Sequence, residues 1–228
     1  MNRRMFLHGS ILLPWTTPLF AAVQQERFDA AAEVLRRAIA SGPMAAAVMY
    51  VTQRDTTWTR HFGTAKSDDA SFLLGSITKP LCITALMTLY DRQGFGLDDR
   101  VQKFLPKFSG DGREQVTMRH LLTHVSGLPD QLPNNAILRA QHAGLPEFVK
   151  HAQQVPLSFQ PGTRYQYSSM AILLASHIAE VISGVEIRTF VDQTLFQPLG
   201  MKRSALGLGR FALDDVMSCQ TEFGAPEA

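Results

Sequence analysis

Cysteine is nearly absent: Cys82 and Cys219 are the only two in 228 residues, which excludes a disulfide framework as the source of stability. Neither sign of charge is in excess. With 22 Lys and Arg against 20 Asp and Glu, nothing in the balance calls for a nucleic-acid or strongly acidic partner. No apolar run reaches the roughly 20 residues that a membrane span needs, and the sequence holds no internal repeat or low-complexity tract. What it does hold is 45% hydrophobic content, ample for a core, in a length suited to one medium domain or two intimately packed ones.

The first 22 residues read as an export signal. Arg3 and Arg4 are the only charged side chains before Glu26, the apolar stretch from Ile11 to Phe20 is broken by Pro14 and Pro18, and Ala21 and Ala22 supply small residues for cleavage. Arg3-Arg4 followed by Met5-Phe6-Leu7 resembles the twin-arginine type, which carries folded proteins across the bacterial inner membrane. The expectation is a periplasmic or secreted protein with no stable membrane anchor after signal removal. Without a cysteine near the cleavage region, a lipoprotein is not expected.

Periodicity then predicts the elements of the mature chain. Phe28, Ala31, Leu35 and Ala38 make one helical stripe that Gly42-Pro43 ends. Ala45 to Val51 and Thr57 to Phe62 read as a hairpin turning at Gln53-Arg54-Asp55. Further helices are expected from Ser76, after a cap at Thr117, loosely from Asn134 to Val155, from Ser168 to Ser183 with Gly184 as its stop, and from Val185 to Phe196. From Leu213 onward there is no clear period, so 213–228 reads as an irregular tail. Cys82, inside an apolar helix, reads as a small buried hydrophobe.

The stretch FLLGSITKPLCITALMTLY, from Phe72 to Tyr90, is where chemistry concentrates. Ser76 stands where an apolar run ends and helical spacing begins, Pro80 falls in the first turn where its missing N–H costs little, and Lys79 shares a face with Ser76. A serine hydroxyl attacks a carbonyl poorly until something takes its proton. A lysine one turn along can take or steer that proton, and the N–H groups of a helix start can stabilise the oxyanion. Spacing alone leaves a plainer alternative open, in which Ser76 is an N-cap and Lys79 a solvated first-turn residue. His120 and His124, at i and i+4, share a helix face, which is the spacing of two zinc ligands on one helix. The metalloprotease pattern, however, needs Glu after the first histidine, where Leu121 stands. Packing and hydrogen bonding are the expected roles of these histidines, and no metal or organic cofactor is implied.

FLLGSITKP, HLLTHVSGLPD, PGTRYQYSSMAILLA and PLGM, in this order, resemble the serine β-lactamase-like superfamily of class C β-lactamases, penicillin-binding DD-peptidases and β-lactamase-like esterases. The resemblance covers about Phe28 to Ser204. It implies an α+β fold in which a mostly helical region packs on an antiparallel sheet, with 23–212 as the hydrolase domain. It also implies a reaction through an acyl-enzyme on an ester or amide: a β-lactam, a D-Ala-D-Ala peptide or a carboxylic ester. Carried over residue by residue, Ser76 matches the acylated nucleophile, Lys79 its partner and Tyr167 the tyrosine that exchanges a proton with Ser76. His120, His124 and Gly127 match a segment that looks structural.

Two departures qualify these expectations. Ser169 stands where most relatives carry a substrate-binding asparagine, and a hydroxyl reaches less far with fewer donors, which makes an ester relatively more favoured. No K-T-G or H-x-G triplet follows Tyr167, and only the hairpin from Ala45 to Phe62 is available for the sheet. The sheet is therefore expected to be incomplete and the chain to be a C-terminally truncated member of the superfamily. The alternative expectation is a catalytically inactive homologue that at most binds cell-wall peptides. The substrate is expected to be a small molecule or peptide; oligomeric state is open.

Overall fold

The computed structural model describes residues 16–42 and 44–218, which divide into two compact units. The first runs to Phe72 and includes the segment from Asp214. Its helix α1 spans Thr16–Ser41, longer at its start than the expected stripe. The strands β1, Ala46–Gln53, and β2, Thr56–Gly63, pair antiparallel from Ala46 opposite Gly63 to Gln53 opposite Thr56. Arg54, at φ 53°, turns the chain between them. Among the described residues this pair is the whole sheet, as the sequence anticipates. Phe28 of α1 stacks on Trp58 of β2 at 6.0 Å, and the Trp58 indole N–H donates to Gln25 at 2.9 Å. Within the stretch read as an irregular tail, Val216 bridges Ser71 in parallel and the Met217 N–H donates to the Ser71 carbonyl at 2.8 Å. Arg3-Arg4 and Cys219 lie outside the described residues. Among those described, no single helix is long and apolar enough to cross a membrane.

The second unit, Leu73–Leu213, is helical. Helix α2, Thr78–Asp91, buries Cys82, Ala85, Leu86 and Leu89, the i, i+3, i+4, i+7 stripe of an amphipathic helix. It packs on α6, Ser169–Ser183, whose buried residues include Met170, Ala171, Leu174, Ala175 and Ile178. Removing a side chain such as Leu86 or Leu174 from water contributes about 1.5–3 kcal/mol. α6 ends at Gly184 in the left-handed region, φ 70°, as its sequence predicts.

Shorter helices lie between α2 and α6 along the chain. These are α3, Met118–Leu122, α4, Asn135–Ala140, and α5, Leu145–Ala152. The single helix expected over Val185–Phe196 is instead α7, Ile187–Val191, followed by a wider π turn over Asp192–Phe196. Thr117 caps α3 as expected: its hydroxyl accepts from the His120 N–H while its own N–H donates to His120 Nδ1, each at 3.3 Å. This is a capping box with histidine in place of the usual glutamate. Arg113, 3% exposed, donates to the Gln154 and Val155 carbonyls at 2.6 and 2.9 Å and so ties its loop to the end of α5.

Candidate active site

Ser76 is not the N-cap of α2. It sits inside a single 3-10 turn, Gly75–Ile77, that runs into the helix, and the cap position falls to Ile77, whose side chain makes no capping bond. The Ser76 hydroxyl is thereby released from the backbone. It is exposed, and it accepts a hydrogen bond from Lys79 Nζ at 3.0 Å. The plainer alternative of a capping serine beside a solvated lysine does not describe this arrangement.

Tyr167 lies on the non-helical segment that leads into α6. The Lys79 ammonium lies 4.9 Å from the centroid of its ring. Interaction with Lys79 first, and with the Ser76 hydroxyl second, holds the Tyr167 phenol below its ordinary pKa, against burial and the charge of Asp130. Ser76, Lys79 and Tyr167 therefore form one cluster, with Tyr167 38% exposed.

Ser169 opens α6 but its side chain is already committed. Its hydroxyl donates to Asp130 Oδ1 at 2.6 Å, and its N–H donates to the same oxygen at 2.8 Å. A serine has one O–H, so only lone pairs remain for a ligand. Sequence reasoning missed Asp130. Its one signal is a carboxylate following Leu128-Pro129 in the HLLTHVSGLPD stretch, which says nothing about a partner 39 residues away.

The segment carrying Tyr167 is held from the loop that follows α3. Gln166 N–H donates to the His124 carbonyl at 2.9 Å, Gly162 N–H to the Val125 carbonyl at 2.8 Å, and Ser158 N–H to the Gly127 carbonyl at 2.7 Å. Gly127 allows that approach: at φ 82°, a Cβ built there would stand 2.4 Å from the Phe159 carbonyl oxygen. Ser168, wholly buried, donates to the Pro129 carbonyl at 2.9 Å and caps α6 by accepting from the Ala171 N–H at 3.0 Å. The two histidines weighed as zinc ligands each use Nδ1 to accept a backbone N–H, from Thr117 and from Ser168. Among the described residues no three His, Cys, Asp or Glu side chains gather as a metal site.

An exposed hydroxyl with an ammonium and a lowered phenol against it is an arrangement suited to nucleophilic acyl transfer. Similarity to known proteins agrees in kind. The chain is 34% identical over 158 residues to Esterase EstB of Burkholderia gladioli, covering 63% of this chain and 40% of that protein. It is 32% identical over 137 residues to Penicillin-binding protein 4* of Bacillus subtilis, covering 58% and 30%. Among solved structures, the D-stereospecific amidohydrolase from Streptomyces sp. superposes with a TM-score of 0.62 at 28% identity, covering 75% of this chain and 54% of that one. The chain thus spans less than half the length of the curated relatives it matches. A family model described as Beta-lactamase matches residues 31–221, nearly the whole of the described fold, and the chain belongs to the Beta-lactamase family.

Proposed function

We propose that this chain carries the acylation centre of a serine hydrolase that works through an acyl-enzyme on an ester or amide carbonyl. The observation that carries this reading is the Ser76 hydroxyl 3.0 Å from Lys79 Nζ, exposed, with Tyr167 against the same ammonium. In the proposed sequence the Tyr167 phenolate, favoured by the Lys79 cation, takes the Ser76 proton as Oγ bonds to the carbonyl carbon. The tetrahedral intermediate then collapses, the bond to the leaving alcohol or amine breaks, and that group departs with the proton from Tyr167. Water, losing its proton to Tyr167, cleaves the acyl-serine in the same way and regenerates Ser76.

Of the three substrate classes, a carboxylic ester is favoured by Ser169. Its only proton goes to Asp130, so it has none to offer the carbonyl of a substrate's amide side chain. The relative named an esterase, at 34% identity, supports the same choice.

The test is mass spectrometry of the full chain after treatment with a fluorophosphonate and, separately, a penicillin. One adduct is expected on Ser76 with the fluorophosphonate, and none in Ser76→Ala. Turnover of a p-nitrophenyl ester above that of a chromogenic β-lactam supports the ester. A chain that folds yet takes neither reagent refutes the acylation centre and leaves a binding protein in its place.

A further inference from the structure

His124 occupies a position that its backbone does not want. α3 closes in a Schellman arrangement in which the His124 N–H donates to the Leu121 carbonyl at 3.4 Å and the Val125 N–H to the His120 carbonyl at 3.1 Å. The residue in the middle, His124, is left-handed at φ 59°. Glycine is the usual occupant of that place, and a side chain there costs roughly 1–2 kcal/mol. A strained residue of this kind invites the question of what its side chain does.

His124 holds the Tyr167 segment with its ring and with its main chain. Nδ1 accepts the Ser168 N–H at 3.2 Å, while the main-chain carbonyl of the same residue accepts the Gln166 N–H at 2.9 Å. Tyr167 is therefore bracketed, on both sides along the chain, by hydrogen bonds to one residue. The ring also lies against the Tyr167 ring, with centroids 4.9 Å apart at 35°, and meets the edge of Tyr165 at 6.0 Å. The Nδ1 bond requires a neutral ring with its proton on Nε2, because a protonated Nδ1 becomes a donor facing the Ser168 N–H.

We propose that His124 is a positioning residue for the acylation centre: its neutral imidazole fixes Tyr167 in register with Lys79 and Ser76, and its protonation releases that register. The proposal rests on the reading of Ser76, Lys79 and Tyr167 given above. The charged and titratable groups facing the ring are Lys79 from α2, Asp130 from the loop after α3, and Tyr165 and Tyr167 from the segment before α6. Burial first, then the Lys79 cation, push His124 below the ordinary histidine range, and the Asp130 charge and the interaction with the Ser168 backbone oppose them without reversing the direction. The neutral clamp is thus held through neutral pH and is lost as pH falls into the acid range.

Two substitutions separate this role from simple folding. His124→Gly fits the left-handed backbone and removes both ring and acceptor. His124→Asn tolerates the same backbone, and its side-chain oxygen replaces Nδ1 without being able to protonate. The rate of fluorophosphonate labelling of Ser76 is measured across pH, beside a spectrophotometric titration of Tyr167 taken as the difference from Tyr167→Phe in each background. His124→Gly is expected to slow labelling about 10²-fold, the usual consequence of misplacing a reacting group by an ångström. It is also expected to raise the Tyr167 midpoint as the phenol leaves Lys79. His124→Asn is expected to label at near the wild-type rate at neutral pH and, as pH falls, to show only the gradual loss set by Tyr167 ionisation, without the steeper loss that His124 protonation adds. Wild-type labelling and Tyr167 titration in His124→Gly overturn the proposal, as does an acid loss in His124→Asn as steep as that of the wild type. If Ser76 is never labelled, the hydrolase reading fails by itself. The Tyr167 titration, which needs no turnover, still decides the clamp: an unchanged midpoint in His124→Gly refutes it and a raised one supports it.

Discussion

Replacing Ser168 with alanine removes one hydroxyl from the interior of the helical unit, and its cost follows from two hydrogen bonds. The hydroxyl caps α6 by accepting the Ala171 N–H at 3.0 Å, and loss of such a cap costs about 1 kcal/mol. The same hydroxyl donates to the Pro129 carbonyl at 2.9 Å from a wholly buried site, and a polar group stranded there costs a further 1–3 kcal/mol or so. Together these give about 2–4 kcal/mol, a large part of the roughly 5–15 kcal/mol by which domains are stable. The assay is urea unfolding of the full chain followed by far-ultraviolet circular dichroism, which reports α2 and α6. With a slope near the middle of the usual range, about 2 kcal/mol per molar, the midpoint should fall by roughly 1–2 M at unchanged slope. A loss below about 0.5 kcal/mol would show that the Pro129 carbonyl finds another partner and that the cap is dispensable, and the reasoning would fail.

Three further outcomes are expected. Lys79→Ala should slow Ser76 labelling by about 10²- to 10⁴-fold. Because Lys79 is the first cause of the lowered Tyr167 pKa, the rise in labelling with pH should also move to higher pH in this variant; an unmoved profile would assign the base elsewhere. Gly127→Ala sets a methyl 2.4 Å from the Phe159 carbonyl at φ 82°, so thermal unfolding should show a loss of about 1–3 kcal/mol or more, and an unchanged Tm would refute the close approach. Lys-Lys in place of Arg3-Arg4 should leave the chain in the cytoplasmic fraction at full length, and normal appearance in the periplasm would refute twin-arginine export.

Local features of the sequence translate directly into structure. The three-residue step from Ser76 to Lys79 puts both on one helical face, Thr117 caps α3, Gly184 stops α6, and the paired runs around Arg54-Asp55 make a hairpin. Each is set by backbone geometry within a turn or two, where residue type and spacing carry the whole argument. Two local readings changed for reasons equally local. The 3-10 turn at Gly75–Ile77 moved the cap from Ser76 to Ile77, and the capping carboxylate of Glu186 set the start of α7, which gives way to a wider π turn at Asp192–Phe196.

The meeting of Tyr167 with Lys79 was legible only through the order of motifs. Its physical cause is the burial of α2 against α6, which no spacing rule encodes. The bond from Ser168 to His124 spans 44 residues and the pair of bonds from Ser169 to Asp130 spans 39; in both, the acceptor is a side chain whose type permits many roles. The sequence by itself determined the helix that follows Ser76, the caps and the hairpin, because short-range sterics and hydrogen bonding leave few choices. Tertiary packing alone decided that His124 would hold Tyr167 from a strained backbone and that Asp130 would take the Ser169 proton, because long-range contacts are selected by the fit of whole buried faces and not by any one residue's preference.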